Sequence, residues 1–171
     1  PFMAIPDFPD LPMEEVYPRG APHAPALIAR ETDAGGRTVY LPWDLGGIFW
    51  EVLARDHQRL IENITRWALQ KQPAVEVTGK SVLDIALRRD GDRLAVLLFN
   101  LTNPMMLKGP IRETWPVDEH LLTATLPEGR TGASARTLVG GESLPVTVEN
   151  GAVRMTVPGI DLQEIVLIVW E

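Results

Sequence analysis

The side chains that could bind a metal ion or start nucleophilic chemistry are few and scattered. The chain has three histidines and no cysteine, which excludes disulfides, thiolate metal sites and thiol catalysis. His57 falls on the apolar face of a predicted helix, where a hydrogen-bonded core histidine is the default interpretation. His23 and His120 are far from it in sequence and show no ligand spacing. We therefore predict no metal site and no cofactor.

The short motifs for nucleophilic, phosphate and glycan chemistry are incomplete or badly placed. The candidate nucleophiles lack a G-x-S-x-G context; they are Ser81, Ser134 and Ser143. Gly79-Lys80-Ser81 ends like a phosphate-binding loop, but it lacks the earlier glycine and precedes a strand. Asn63-Ile-Thr65 and Asn100-Leu-Thr102 match the N-glycosylation pattern, within a predicted helix and at a strand end, which favours chance matches.

The first half of the chain centres on a predicted strand, a turn and one long helix. Arg37–Leu41 has the β-branched and aromatic residues of a short strand, which Pro42 stops. The two glycines of 43–47 predict a bend. Ile48–Leu69 is predicted to be one amphipathic helix that ends before Gln72-Pro73. Its apolar face comprises Phe49, Leu53, His57, Leu60, Ile64, Trp67 and Ala68.

The segment before this unit is rich in both proline and apolar residues. Seven prolines over 1–25 forbid a helix or an inner strand, yet the segment is too apolar for a solvated linker. We expect it to lie extended over another surface. Residues 1–72 thus contain too little structure to close a domain, so the remainder should come from upstream sequence or a partner.

From Ala74 onwards the apolar period changes to two, which indicates β-structure. About eight short strands are separated by turns every 8–12 residues, a spacing typical of an antiparallel sandwich over 73–171. Asp90-Gly91 and Asn150-Gly151 predict two tight hairpins, the second with a type I′ turn. The predicted fold class is an α/β fragment followed by an all-β antiparallel sandwich.

Charge and hydropathy restrict the partners. The formal charge is −7 and the sequence pI is about 5.0, so a nucleic-acid partner is not expected. No apolar run approaches the roughly 18 residues of a membrane span, so no membrane partner is expected either. Nothing at the start resembles a signal peptide, which predicts a cytoplasmic location. The chain starts at Pro1 without a methionine, which suggests a fragment or a processed piece.

A loop after the predicted strand Leu94–Leu101 combines apolar and cationic side chains. Met105, Met106 and Leu107 are apolar, and Lys108 and Arg112 add two cations. Apolar loop residues usually contact another surface. The alternative is a loop packed on its own sandwich.

Several sequence blocks together resemble a family of glycoside hydrolases related to β-galactosidases that carry a trimerisation domain. The blocks are Tyr40-Leu41-Pro42-Trp43-Asp44, Phe49-Trp50-Glu51, Asp56-His57-x-Arg59-Leu60, Asn63-x-x-x-Trp67-Ala68-Leu69 and Asn100-Leu-Thr-Asn-Pro-Met-Met-x-Lys-Gly-Pro110. In that family a catalytic (β/α)₈ barrel precedes a flavodoxin- or amidotransferase-like trimerisation domain, and a β-sandwich closes the chain. The resemblance identifies 1–72 with the end of the trimerisation domain. At the turn, Gly46-Gly47 carries fewer functional side chains than the family pattern leads us to expect, so the resemblance assigns no role to these two positions.

The resemblance implies glycosidase chemistry in a parent protein but does not locate it in this chain. Glycosidases generally use two carboxylates roughly 5–10 Å apart, and the family's carboxylates would come from the barrel. Asp44 is better explained as a helix cap, and Glu51 as an acid near the helix N-terminus. We predict no catalytic residue here. Possible interface or active-site-edge residues are Trp43, Asp44, Asn103, Met105, Met106, Lys108 and Arg112.

Two functions remain open. The chain is either the non-catalytic assembly end of a glycosidase-like homotrimer, which meets its carbohydrate substrate through the parent enzyme, or a carbohydrate-binding module. Trp115, beside a proline in a loop, is the possible sugar platform. Trp50 and Trp67 on the helix and Trp170 in an apolar strand are expected to be buried.

Overall fold

A computed structural model describes residues 4–5, 24–102 and 113–171. Contacts divide the chain into two units, Pro1–Gln72 and Pro73–Glu171. Unit 1 contains β1 (Ala4–Ile5), β2 (Ala24–Pro25), β3 (Ile28–Glu31), β4 (Arg37–Tyr40), α1 (Leu45–Val52) and α2 (Arg55–Leu69). Unit 2 contains β5 (Val75–Thr78), β6 (Leu83–Asp90), β7 (Arg93–Asn100), β8 (His120–Thr125), β9 (Ala133–Thr137), β10 (Ser143–Leu144), β11 (Thr147–Glu149), β12 (Ala152–Val157) and β13 (Gln163–Trp170).

In unit 1, an antiparallel hairpin packs beside two helices. β3 and β4 pair from Ile28 opposite Tyr40 to Glu31 opposite Arg37, and α2 packs on β4. The intervening turn is closed where the Gly36 N–H donates to Thr32 Oγ1 at 3.0 Å. Every strand pairing described in this unit is antiparallel. The identification with the end of a flavodoxin-like domain therefore stays a prediction.

The prediction of one long helix is wrong, because the chain breaks between α1 and α2. Leu53 adopts a left-handed conformation with φ 53°, and its N–H donates to Phe49 O at 2.7 Å, which ends α1. Ala54 is extended, and α2 starts at Arg55. A leucine in this conformation is uncommon, and neither glycine nor proline marks the break. The apolar spacing of the two helices is continuous across it, so periodicity alone could not reveal it.

The predicted bend at the two glycines is also displaced. α1 already begins at Leu45, so Gly46 and Gly47 are helical residues of its first turn. A Cβ on Gly47 would lie 2.8 Å from Asp44 Cγ. Gly47 therefore makes room for the carboxylate that precedes the helix.

Unit 2 is an antiparallel β-sandwich, as the period-two pattern predicts. One sheet has the order β10-β9-β13-β7-β6 and the other β11-β12-β8-β5. Alternate side chains of the two sheets form one buried core. Its fully buried members include Val96, Leu98, Leu122, Val153, Val157, Val166 and Ile168.

Both predicted hairpins are confirmed. Asp90 pairs with Arg93, which leaves Gly91 in the two-residue turn with φ 55°. Glu149 pairs with Ala152 across Asn150 and Gly151, whose φ values are 50° and 73°. Two consecutive positive φ angles are the signature of a type I′ turn. The predicted strand 144–149 is split into β10 and β11.

Candidate functional site

Trp43 and Asp44 are both tied into the local structure of unit 1. The Asp44 carboxylate caps α1, since its Oδ1 accepts from the Gly47 N–H at 2.8 Å. The Trp43 indole donates from Nε1 to Ala26 O at 2.8 Å. The Trp43 and His57 rings meet edge to face, with their centroids 5.9 Å apart. This geometry supports the structural role of Asp44 rather than a catalytic one.

Glu51 lies near the C-terminus of its helix, whereas the sequence predicts a position near the N-terminus. It lies in the last turn of α1, which ends at Val52, not in the first. A carboxylate there gains nothing from the helix macrodipole, whose negative end lies at the C-terminus. The assignment of Glu51 as an N-terminal helix acid is therefore wrong.

Arg37 joins the hairpin to α2, which the sequence did not reveal. Its guanidinium carbon lies 5.0 Å from the centre of the Trp67 ring, a cation–π geometry, and Nη1 donates to Trp67 O at 3.2 Å. Its Nε forms an ion pair with Glu31 Oε1 at 3.6 Å. A strand arginine 30 residues from a helix tryptophan leaves no periodic signal.

The described part of unit 1 leaves large apolar side chains uncovered. Leu45 is buried, but Ile48, Trp50 and Val52 of the same helix are exposed, Trp50 by 53%. The prediction that Trp50 is buried is thus wrong, whereas Trp170 is buried as predicted and Trp67 is half-buried. Apart from Glu51 and its two glycines, α1 is made of large apolar residues, a composition typical of helices that are covered on most sides.

A groove of about 460 Å³ lies between the hairpin and the end of α2. It is lined by Val39, Ile64, Thr65, Ala68 and Leu69. Its lining is almost entirely apolar and carries no titratable side chain. The groove suits packing against another protein surface better than catalysis.

In unit 2, Asn100 anchors the segment in which the predicted loop lies. Its side-chain N–H groups donate to Trp115 O and Asp161 O at 2.7 Å each, and at 3.4 Å to Ile160 O. Its Oδ1 accepts from the Thr102 N–H at 3.0 Å. One buried amide thereby holds 102 and 115, which flank 103–112, against the 160–161 turn. Because both amide hydrogens are engaged, Asn100 in the folded protein is not a glycan acceptor.

The structure places only part of the predicted site. Trp115 is 49% exposed, so its indole is available to a ligand. The other predicted residues of unit 2 lie outside the described residues; they are Asn103, Met105, Met106, Lys108 and Arg112.

Ser81 and His120, 39 residues apart, form a hydrogen-bonded pair at 2.6 Å between Oγ and Nε2. A serine beside a histidine is the start of a nucleophilic site. However, the His120 ring is 2% exposed, and its Nδ1 has no hydrogen-bond partner in the part of the chain that the structure describes. Gly79 lies so close that a Cβ there would collide with the ring. A ring sealed in this way packs the sandwich instead of meeting a substrate.

Glu164 is a buried carboxylate with a structural task. Oε1 accepts from the Val139 N–H at 2.9 Å, and Oε2 from the Gly140 N–H at 3.0 Å. Oε1 also accepts from the neighbouring Ile165 N–H at 2.7 Å. The carboxylate fixes the 138–142 turn, and its hydrogen bonds leave it no evident catalytic role.

The described ranges lack two further features, a metal cluster and a membrane-spanning helix. Residues 4–5, 24–102 and 113–171 contain no group of three or more histidine, cysteine, aspartate or glutamate side chains able to hold a metal ion. Among their helices, none is both long enough and apolar enough to cross a membrane.

Known proteins are similar to this chain in structure only. No protein-family model matches the chain, and no curated protein does. Among solved structures, the α-L-fucosidase isoenzyme 2 from Paenibacillus thiaminolyticus matches with a TM-score of 0.67 at 15% sequence identity. The match covers 90% of this chain but 23% of the fucosidase chain. The chain thus shares its fold with about a quarter of a glycoside hydrolase.

Proposed function

We propose that this chain is the non-catalytic assembly portion of a larger glycoside hydrolase, whose catalytic barrel lies upstream. In this proposal, residues 1–72 complete a trimerisation-like α/β domain and 73–171 form the C-terminal sandwich. The sugar substrate reaches the parent enzyme's barrel. The chain itself contributes contacts between domains and subunits.

The observation that carries the proposal is how few apolar side chains are buried in the described part of unit 1. Among its described apolar residues, only Ala26 and Leu45 are buried, and α2 buries none of its residues. Its amphipathic helix and two-stranded hairpin would be marginal in isolation. Such elements become stable when further elements cover them, so unit 1 requires protein outside its described residues.

The side chains of the chain support a structural rather than a catalytic role. The acids best placed for chemistry are engaged elsewhere: Asp44 caps a helix and Glu164 fixes a turn. The serine–histidine pair is sealed in the sandwich. The fold shared with about a quarter of a fucosidase supports a portion of a glycosidase.

A hydrolysis assay tests the proposal. The 171-residue chain and the full-length polypeptide are each assayed on aryl α-L-fucosides and aryl β-galactosides. We expect turnover by the full-length protein and none by the chain alone. Hydrolysis by the isolated chain, abolished by Ser81→Ala, would contradict the proposal. Met105→Asp in the full-length protein tests the predicted loop contact, which is refuted if assembly and activity are unchanged.

A second candidate, a carbohydrate-binding module, rests on the exposure of Trp115. Its backbone is held by Asn100 while half of its surface is free, as a stacking platform requires. Titration of the chain with oligosaccharides, followed by tryptophan fluorescence, separates the two functions. Saturable binding that Trp115→Ala abolishes and Trp50→Ala preserves would favour the module.

A further inference from the structure

Two neighbouring strands of the five-stranded sheet in unit 2 are apolar on both faces, whereas the inner strands of the four-stranded sheet are not. The central strands β7 and β13 read as almost unbroken apolar runs, Leu94–Phe99 and Ile165–Trp170. Such runs are typical of strands that are covered on both sides. In β8 and β12, by contrast, the positions facing away from the core include Thr123, Arg154 and Thr156. The two sheets of the sandwich therefore meet different surroundings.

The strand register defines the outward residues of the five-stranded sheet. Neighbours in β7 and β13 pair as Phe99 with Gln163, Leu97 with Ile165, and Ala95 with Leu167. None of the apolar residues among these belongs to the buried core. Together they form a continuous patch that we term the outer apolar face: Ala95, Leu97, Phe99, Ile165, Leu167 and Val169.

Arginines flank the outer apolar face. Arg136 lies opposite Leu167 in the register, and Arg88 lies opposite Ala95. Arg93 adds a third guanidinium opposite Val169. The acids on the same side of the sheet are Asp84 and Asp90, of which Asp90 lies beside Arg93. The face is thus more basic than a chain with a net charge of −7 would suggest.

One depression on this face has the chemistry of a carboxylate site. It has a volume of about 250 Å³, and its walls include Ser134, Arg136, Ser143, Leu167 and Val169. A guanidinium and two hydroxyls surround an apolar floor. In the described part of the chain, these three polar side chains make no hydrogen bond or ion pair with one another or with other residues. They are free to receive an acceptor from outside.

We propose that another domain of the same polypeptide docks on the outer apolar face. That domain presents an apolar surface and inserts an aspartate or glutamate carboxylate between Arg136, Ser134 and Ser143. The inference rests on the proposed function, because it requires a longer polypeptide. The structural match indicates how much further protein such a polypeptide can contain, because about three quarters of the matched fucosidase lies outside the part with this fold.

Charge favours this occupant over a second copy. The five strands present roughly 500 Å², or about 1,000 Å² counted over both partners, which is within the range of domain interfaces in one chain. Two copies packed face to face would together place six arginines against four aspartates, which leaves guanidinium groups without acids. A domain surface with its own carboxylates matches the face better.

The test compares the substitution Leu167→Lys in the full-length polypeptide and in the 171-residue chain. Leu121→Lys is the matched control, because Leu121 faces outward on the four-stranded sheet and is 44% exposed. In scanning calorimetry of the full-length protein, we expect Leu167→Lys to lower the melting temperature of the sandwich by several degrees. Leu121→Lys should leave it unchanged. In the isolated chain, both variants should melt within about 2 °C of the parent sequence.

Arg136→Ala tests the carboxylate contact, with Arg154→Ala on the opposite sheet as its control. We expect only Arg136→Ala to lower the melting temperature of the full-length protein. The inference is overturned if Leu167→Lys leaves an active, oligomeric full-length enzyme as stable as the parent. It is also overturned if the isolated chain dimerises and Leu167→Lys abolishes that dimer. If the polypeptide made in the natural source has a mass of only 18.9 kDa, the proposed function is refuted, and this inference with it.

Discussion

Replacing Asn100 by aspartate should strongly destabilise the sandwich. Asn100 is 7% exposed, and its Nδ2 donates to three backbone carbonyls. In the Asn100→Asp variant an acceptor replaces that donor. The two short bonds, both 2.7 Å, become contacts between oxygen atoms that repel each other.

The expected cost follows from those bonds. Each lost hydrogen bond costs about 1 kcal/mol, and leaving a partly buried carbonyl without a donor adds about 1 kcal/mol. The total is about 2–4 kcal/mol. For a unit of this size each kcal/mol lowers the melting temperature by about 4–8 °C. We therefore expect a decrease of about 8–30 °C.

The assay is thermal unfolding of the 171-residue chain followed by circular dichroism at 218 nm, a β-sheet wavelength. Asn63→Asp is the control, since it makes the same chemical change at an exposed position of α2. It should shift the transition by less than about 2 °C. An Asn100→Asp variant that melts with the control would refute the role assigned to this amide.

Three further substitutions test single contacts. Asp44→Ala removes the cap on α1 and should cost about 0.5–2 kcal/mol in urea unfolding, whereas Asp44→Asn should retain most of the stability. Gly79→Ala forces a Cβ into the His120 ring and should cost about 1–3 kcal/mol, while Gly132→Ala, with its nearest contact at 3.5 Å, should be neutral. Glu164→Gln replaces one of the two side-chain oxygens that accept from the Val139 and Gly140 N–H groups, and should cost about 1–3 kcal/mol, measured as a lower urea midpoint at unchanged slope. Equal midpoints for variant and parent would contradict each assignment.

The β-half was predictable because its signals are local. Alternation assigns each residue to a face, and Asn150-Gly151 accepts the positive φ angles that a tight turn requires. Those signals place the strands and both hairpins. They do not reveal which strands from distant parts of the chain pair, such as β5 with β8.

The first half shows where local reasoning fails. The break at Leu53 carries no local signal, because no breaking residue precedes it and the helical spacing continues into α2. Sequence patterns also do not reveal the contacts between Arg37 and Trp67 or between Ser81 and His120, because these residues are 30 and 39 positions apart. The cap at Asp44 was predictable, since it joins two residues only three positions apart.

Intact and native mass spectrometry of the protein from its natural source most directly tests whether this chain is a portion of a larger glycosidase. We predict a polypeptide much longer than 171 residues that contains this sequence and assembles as a trimer. A lone, monomeric species of 18.9 kDa would contradict the account.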